Sequence, residues 1–295
     1  MELVRRKIID ASMIVANSSV NFYPDFVIGS TYAKDDKCEY GGKTWRSSVD
    51  GNVGNVPGAV GSETFWSLDT ASNAVAMFDD EVNTKTLATG SLSITLAASY
   101  CDSVGLLAMI GMNVSVQVTK DGGTIYEASA ELWDSSLVTD WSDFLFNEPE
   151  FIPDVYFSDM PPVPDVLITI TITSLEDEQV GLGMCVIGRL FDAGVDQFKM
   201  VLERDNHTVA TFDKFNKLTQ KNQVSTKNYS CKTIIDNKRF DQIAKRLAII
   251  ADEPVLGIGS NGLYASFIVY GLFSYRQILE YETESSVEFT MKGLI

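Results

Sequence analysis

The sequence predicts a mainly β protein: a small aromatic-pinned β module, a β-sandwich or jelly-roll-like body, and a C-terminal α+β subdomain with one clear helix. Three observations point there. Two-residue alternation of apolar and polar side chains recurs along the chain, and a single long segment has the helical period. Short apolar runs are punctuated by Gly, Asn, Asp and Pro. The chain has 295 residues, 45% of them hydrophobic and 11% aromatic, so it can bury an ordinary core without relying on disulfides or metal.

Residues 1–22 carry apolar positions (Leu3, Val4, Ile8, Ile9, Met13, Ile14) among mixed charges. They read as an N-terminal arm or anchoring segment, or alternatively as a helix or strand on the protein's own core. Residues 23–72 form the β module. Phe26, Tyr32, Tyr40, Trp45, Phe65 and Trp66 would be gathered by two short strands around a Gly41-Gly42 turn and a third element carrying Trp66. Within it, the Gly/Asn-rich stretch 50–61 reads as a loop with little that could pack.

Residues 73–199 are the predicted sandwich body. Strands are expected at 91–96, 113–119, 124–132, 151–157, 166–173 and 182–188. Asp121-Gly122-Gly123 closes 113–119 and 124–132 into a hairpin. The clearest strand is 166–173, with Val166, Ile168, Ile170 and Ile172 on one face and Leu167, Thr169, Thr171 and Thr173 on the other. Pro161, Pro162 and Pro164 make a stiff turn leading into it. A weaker helical turn over 136–146 would place Trp141, Phe144 and Leu145 on one face, read as core packing. Residues 200–295 are the C-terminal subdomain, with strands at 229–235, 266–273 and 286–291. Its helix starts after Asp236 or Asn237 as cap, aligns Phe240, Ile243, Ala244, Leu247 and Ile250, and stops before Pro254. The basic, polar stretch 199–227 is either a long hairpin excursion or the join between body and subdomain.

Charge and residue counts remove several function classes. With 23 Lys plus Arg against 40 Asp plus Glu, the net charge is -17, which opposes nucleic-acid binding and docking on an anionic membrane. His207 is the single histidine, so chemistry or zinc sites needing two imidazoles are excluded, and its polar surroundings suggest a surface residue. Cys38, Cys101, Cys185 and Cys231 lack metal or redox spacing and read as buried thiols of a reducing cytoplasm. Asn17, Asn113, Asn206 and Asn228 begin glycosylation sequons, but Asp10 breaks the apolar run that a signal peptide needs, and 103–119 is no transmembrane helix, so the chain is expected to be soluble.

No motif supplies a catalytic, cofactor or metal site. Residues 257–262 (GIGSNG) match the dinucleotide fingerprint, yet a strand-like run follows where phosphate binding needs a helix, so a hairpin turn is expected. The acid runs Asp35-Asp36, Asp79-Asp80-Glu81 and Glu176-Asp177-Glu178 are neighbours along the chain, not carboxylates converging from different elements. Asp50-Gly51-Asn52 lacks the later ligands of a calcium loop. The acids are spread along the chain, and the charge reads as a means of keeping an edge-rich β protein soluble until it assembles.

The aromatic series in 26–66 is similar to the small chitin-binding type of carbohydrate-binding module, in which some rings form a minicore and a pair of exposed rings after the second strand stacks on sugar. Here Arg46, Ser47, Ser48, Val49 and Asp50 follow Trp45, so that exposed pair is missing and Tyr32, Trp45 and Trp66 map to the minicore. The continuation is wider: residues 47–57 (SSVDGNVGNVP), then Trp66, then Asn73 to Asp79 with Met77-Phe78-Asp79, together with 151–162, 186–189 and 265–273, resembles a family of tailed-bacteriophage virion proteins. That resemblance implies a non-enzymatic structural component of the tail or baseplate region, located in the virion tail and made in the host bacterial cytoplasm. It would be an adaptor, a homo-oligomer in the particle, with other tail proteins and tail fibres as partners. The alternative is a glycan-binding receptor-recognition protein touching a host surface glycan, and a glycan-processing enzyme ranks last. Tyr32, Tyr40, Trp45 and Trp66 are the candidate glycan or partner contacts; no cofactor is implied.

Overall fold

A computed structural model describes residues 1–134, 140–146, 150–212, 218–221 and 225–294. The chain is mainly β. Its frame is a ten-stranded antiparallel sheet in the order Val155–Phe157, Ser103–Leu107, Met184–Asp192, Glu2–Arg6, Val255–Ile258, Ile268–Ile278, Glu284–Gly293 and Thr226–Asp236, the last pairing with both Val195–Asp196 and Val201–Asp205. A second, five-stranded sheet runs Gly123–Glu131, Asn113–Lys120, Leu167–Thr173, Ser91–Ala97, Ile14–Asn17.

The five-stranded sheet is a direct product of alternation. Ile168, Ile170 and Ile172 are buried and pair across to Leu96, Ile94 and Leu92 on one side and Val118, Val116 and Val114 on the other. On the opposite face, Thr169 and Thr95 hydroxyls meet at 3.0 Å, and Thr171 and Ser93 at 3.3 Å. The dry face packs on Val104, Leu106, Cys185 and Ile187 of the large sheet, giving the sandwich core. The hairpin predicted at Asp121-Gly122 is present: both residues have positive φ, 50° and 81°, in a two-residue turn between Lys120 and Gly123.

The helix, Phe240–Ile250, buries Ile243, Leu247 and Ile250 against Leu3, Cys231, Val255, Phe273 and Phe289 at the other end of the large sheet. Asp236 is its cap, accepting from the Lys238 N–H at 2.8 Å at the head of a leading 3-10 turn, Asn237–Arg239. The stretch 199–227 is the long hairpin excursion: Val201–Asp205 pairs with the start of Thr226–Asp236, and Val209–Phe212 pairs with Leu218–Lys221 beyond it.

Two expectations are corrected, and the two readings of the N-terminus are decided between. Residues 1–6 form no arm but a strand on the protein's own core, the second of those readings. Glu2–Arg6 lies inside the large sheet between Met184–Asp192 and Val255–Ile258, and the buried Met1 ammonium meets Asp196 at 2.5 Å and donates to the Gly194 carbonyl at 2.7 Å. Leu3 and Val4 are both buried, in different cores, because a central strand is covered on both faces and loses the alternation that marks a half-buried one. The boundary at 199/200 cuts through one sheet, since strands from both sides of it are hydrogen-bonded neighbours, so the C-terminal part is not a separate layer. Finally, the helical turn is limited to Trp141–Phe146; Trp141 is 80% exposed and Leu145 and Phe146 are exposed too, so they are not core. Residues 135–139 and the Phe144 side chain lie outside the described residues. Smaller differences follow turn chemistry: the run expected at 151–157 is broken around Pro153, leaving Glu150–Phe151 and Val155–Phe157.

Candidate functional site

The aromatic module is built on Lys37–Tyr40, Lys43–Ser47 and Trp66–Ala71, a three-stranded antiparallel sheet. Gly41 and Gly42 both have positive φ, 61° and 73°, as the two-residue turn between Tyr40 and Lys43 demands. Side chains converge on a minicore of Tyr32, Cys38 and Trp66, with Phe26, Trp45 and Phe65 half-buried against it. Tyr32 and Trp66 meet edge-on at 5.1 Å between centroids, and Phe26 lies 5.9 Å from Trp66 and 5.8 Å from Tyr32. The polar ends of the rings are satisfied: Trp66 Nε1 donates to the Asn55 carbonyl at 2.8 Å, Trp45 Nε1 to the Tyr40 carbonyl at 3.1 Å, and the Tyr32 hydroxyl accepts from the Val27 N–H at 2.8 Å.

The Gly/Asn stretch has more to pack than its composition suggested. Asn52 is buried; its Nδ2 donates to Ser47 Oγ and the Phe65 carbonyl, its Oδ1 accepts from Asn55 at 2.8 Å, and its backbone bridges Tyr32. Asn52 therefore replaces a missing strand pairing with side-chain bonds, and it is not free to ligate calcium. Among the described residues, no three His, Cys, Asp or Glu side chains are grouped to hold a metal ion.

Of the four candidate contacts, the fold brings Tyr32 and Trp66 together inside the minicore, with Trp45 half-buried beside them and its ring against Gly58. Tyr40 lies at the rim, meeting Phe26 edge-on at 5.6 Å, and at 45% exposed is the most open ring of the four. Outside the candidate set is Glu39, next to Tyr40 in the same strand. Segment 24–26 lies along that strand, with the Phe26 N–H donating to the Glu39 carbonyl at 2.9 Å and the Glu39 N–H to the Pro24 carbonyl at 3.0 Å. Cys38 and Glu39 are thus both buried although they point to opposite faces. Burial pushes the Glu39 carboxyl up from its ordinary value.

Asp69 is the electrostatic anchor of the module's other face. It accepts from Lys37 Nζ at 2.6 Å and pairs with Arg46 at 2.7 Å, and the hydrogen bond from Lys37 holds its carboxyl below the usual range. A depressed carboxyl contributes stability that is present above the unfolded value of about 3.9 and is lost as pH falls through the lower folded value. Asp69→Asn is therefore expected to cost the module about 1 kcal/mol at neutral pH and nothing in strong acid. Amide exchange of the module strands, compared with wild type across that range, checks it.

The remaining expected features take bland places. His207 Nε2 lies 3.1 Å from the Thr226 hydroxyl. All four cysteines are buried and free, and burial pushes Cys38 up to about 11 and Cys185 and Cys231 up to about 12, so their thiolates are scarce at neutral pH. Residues 257–262 end the strand Val255–Ile258 and enter two 3-10 turns that lead to Ile268–Ile278, which is the hairpin expected and offers no helix N-terminus. No helix among the described residues is long and apolar enough to cross a membrane. Compared with known proteins, the chain matches no family model, no curated protein and no solved structure.

Proposed function

We propose that the chain is a non-enzymatic structural component of a bacteriophage tail, an adaptor that docks neighbouring tail or fibre proteins in a symmetric multi-copy assembly. One observation carries most of the support: large apolar side chains are exposed on three different parts of the β frame. Val27, Ile28, Val53 and Val60 stand on module loops, Trp141, Leu145 and Phe146 on the short helix, and Val195, Phe198, Val201 and Leu202 along one edge of the large sheet. Exposed apolar side chains on several parts of one chain suit a part held between neighbours. The sequence resemblance to virion proteins supplies the setting. Imaging of the assembled particle with this chain tagged or located by density tests the reading, and finding it in many symmetric copies in the tail is the expected result; a particle without it defeats the proposal.

A glycan-binding receptor-recognition role is the second reading, favoured by the open Tyr40 ring. On a sugar array it predicts binding that Tyr40→Ala weakens about tenfold. Binding by wild type and Tyr40→Ala at equal strength, or none by either, removes it. Trp66 is unsuitable as a contact probe, because its substitution would undo the minicore.

A further inference from the structure

The large sheet curls on itself. Asp154, just before Val155–Phe157 at the head of the strand order, pairs with Lys227 of Thr226–Asp236, the eighth strand. Both residues line a cavity of about 230 Å³. Leu107 and Ile268 form its buried floor, and Val82 and Leu294, half-buried, and Pro153, exposed, form its rim. Leu107, Ile268, Val82 and Leu294 belong to one apolar cluster, so these walls are packed together. One charged group in the wall is left over. Asp154 is engaged at both oxygens, accepting from the Ala108 N–H at 2.9 Å and from Lys227 Nζ. Lys85 also lines the cavity, half-buried, and among the described residues nothing hydrogen-bonds or ion-pairs with its amine. Burial pushes that amine below its ordinary value, and Asp154, beyond ion-pair reach, offsets this only in part. The Lys85 backbone is held from both sides: Thr84 Oγ1 donates to the Glu81 carbonyl at 2.9 Å, and Thr86 Oγ1 accepts from the Met77 N–H at 3.1 Å.

A cation without a counter-charge, beside a pocket with an apolar floor, is the complement of an organic anion: charge meets charge, and hydrocarbon displaces water from the floor. We propose that this cavity binds a small monocarboxylate, with its carboxylate on Lys85 Nζ and its hydrocarbon part against Leu107, Ile268 and Leu294. The volume lies below the roughly 300 Å³ at which pockets for drug-sized ligands begin, so the ligand is a short one. A single charge suits the site, because a dianion would bring its second carboxylate toward Asp154. The inference does not depend on the adaptor reading, and each can fail without the other.

The test titrates the full-length chain with hexanoate, following backbone amide shifts, beside hexanol, acetate and succinate. Hexanoate is expected to move the Leu107, Ala108 and Leu294 amides with a dissociation constant of roughly 1 mM. Hexanol keeps the hydrocarbon and lacks the charge, so it should bind about tenfold more weakly. Acetate keeps the charge and lacks the body; each buried CH₂ is worth about a fourfold gain in affinity, so acetate should also be weaker by about tenfold or more. Succinate should bind no better than acetate. Lys85→Met keeps the reach of the side chain and removes its charge. It should bring hexanoate down to the level of hexanol while melting at or above the wild-type temperature, because an uncompensated charge is gone. Unmoved amides, hexanol binding as tightly as hexanoate, or acetate or succinate doing so would each overturn the proposal. So would hexanoate binding that survives Lys85→Met, or a lower melting temperature of that variant, which would show that the amine is already compensated.

Discussion

Gly271→Ala is expected to destabilise the protein by about 3 kcal/mol or more, close to the largest effect a single methyl can have here. Gly271 sits in the large sheet opposite Gly293, and a Cβ built on it would stand 1.9 Å from the Lys292 carbonyl oxygen and 2.7 Å from its carbon. Those are backbone atoms of a neighbouring strand, so no side chain can rotate away, and relief requires the two strands to separate and give up their ladder. Gly188→Ala meets the same obstacle 2.0 Å from the Arg5 carbonyl oxygen, at the strand that carries Leu3 and Val4 into two cores. The close approach explains why glycine stands in the middle of a strand where it would otherwise weaken it. Gly123→Ala is the control: its nearest contact is an ordinary 3.6 Å, so its unfolding midpoint should stay within about 0.5 kcal/mol of wild type. Chemical denaturation of the three variants decides it; equal midpoints for Gly271→Ala and Gly123→Ala would refute the steric argument.

The second large effect is local. Trp66→Ala removes a side chain that is 2% exposed, holds the Asn55 carbonyl, and touches both Tyr32 and Phe26. Truncating a buried tryptophan costs about 3–5 kcal/mol. The module's buried core is Tyr32, Cys38 and Trp66 with three partly covered rings around them, so a loss of that size should unfold the module as a unit. The two large sheets have cores of their own, which do not include Trp66. Hydrogen exchange is the suitable measurement: amides of Lys37–Tyr40 and Lys43–Ser47 should lose protection, and those of Leu167–Thr173 and Ser91–Ala97 should keep it. Uniform loss across both sets would mean that the module is a cooperative part of the body.

How much of this was legible in the sequence depended on whether a face was dry on one side only. Residues 167–173 alternate because Ile168, Ile170 and Ile172 meet a core and their neighbours do not, and the Asp121-Gly122 turn declares itself by the φ it needs. The helix was equally plain from one apolar stripe. Glu2–Arg6 was not, because both its faces are covered by elements far away in sequence, leaving an apolar pair between charges. The module's aromatic inventory announced the minicore, and the departure after Trp45 correctly assigned Tyr32 and Trp66 to it. Glu39 was hidden for a different reason: its burial depends on segment 24–26 lying beside its strand, a contact with no local period. Trp141 misled for the converse reason, since an aromatic at helical spacing carries no label saying which way the helix will turn.

The position of Glu2–Arg6 also fixes an order of events during synthesis. Ile14–Asn17 finds its partner at Ser91–Ala97, and the five-stranded sheet has all its strands once Thr173 has been made. Glu2–Arg6 has to wait for Met184–Asp192 on one side and for Val255–Ile258 on the other. At about 5–20 residues per second, that delay lasts on the order of ten seconds or more, with two strand edges and Leu3 and Val4 uncovered in the meantime. The smaller sheet should therefore be protected first on the ribosome, and the larger one only after its strands through Gly293 have been made.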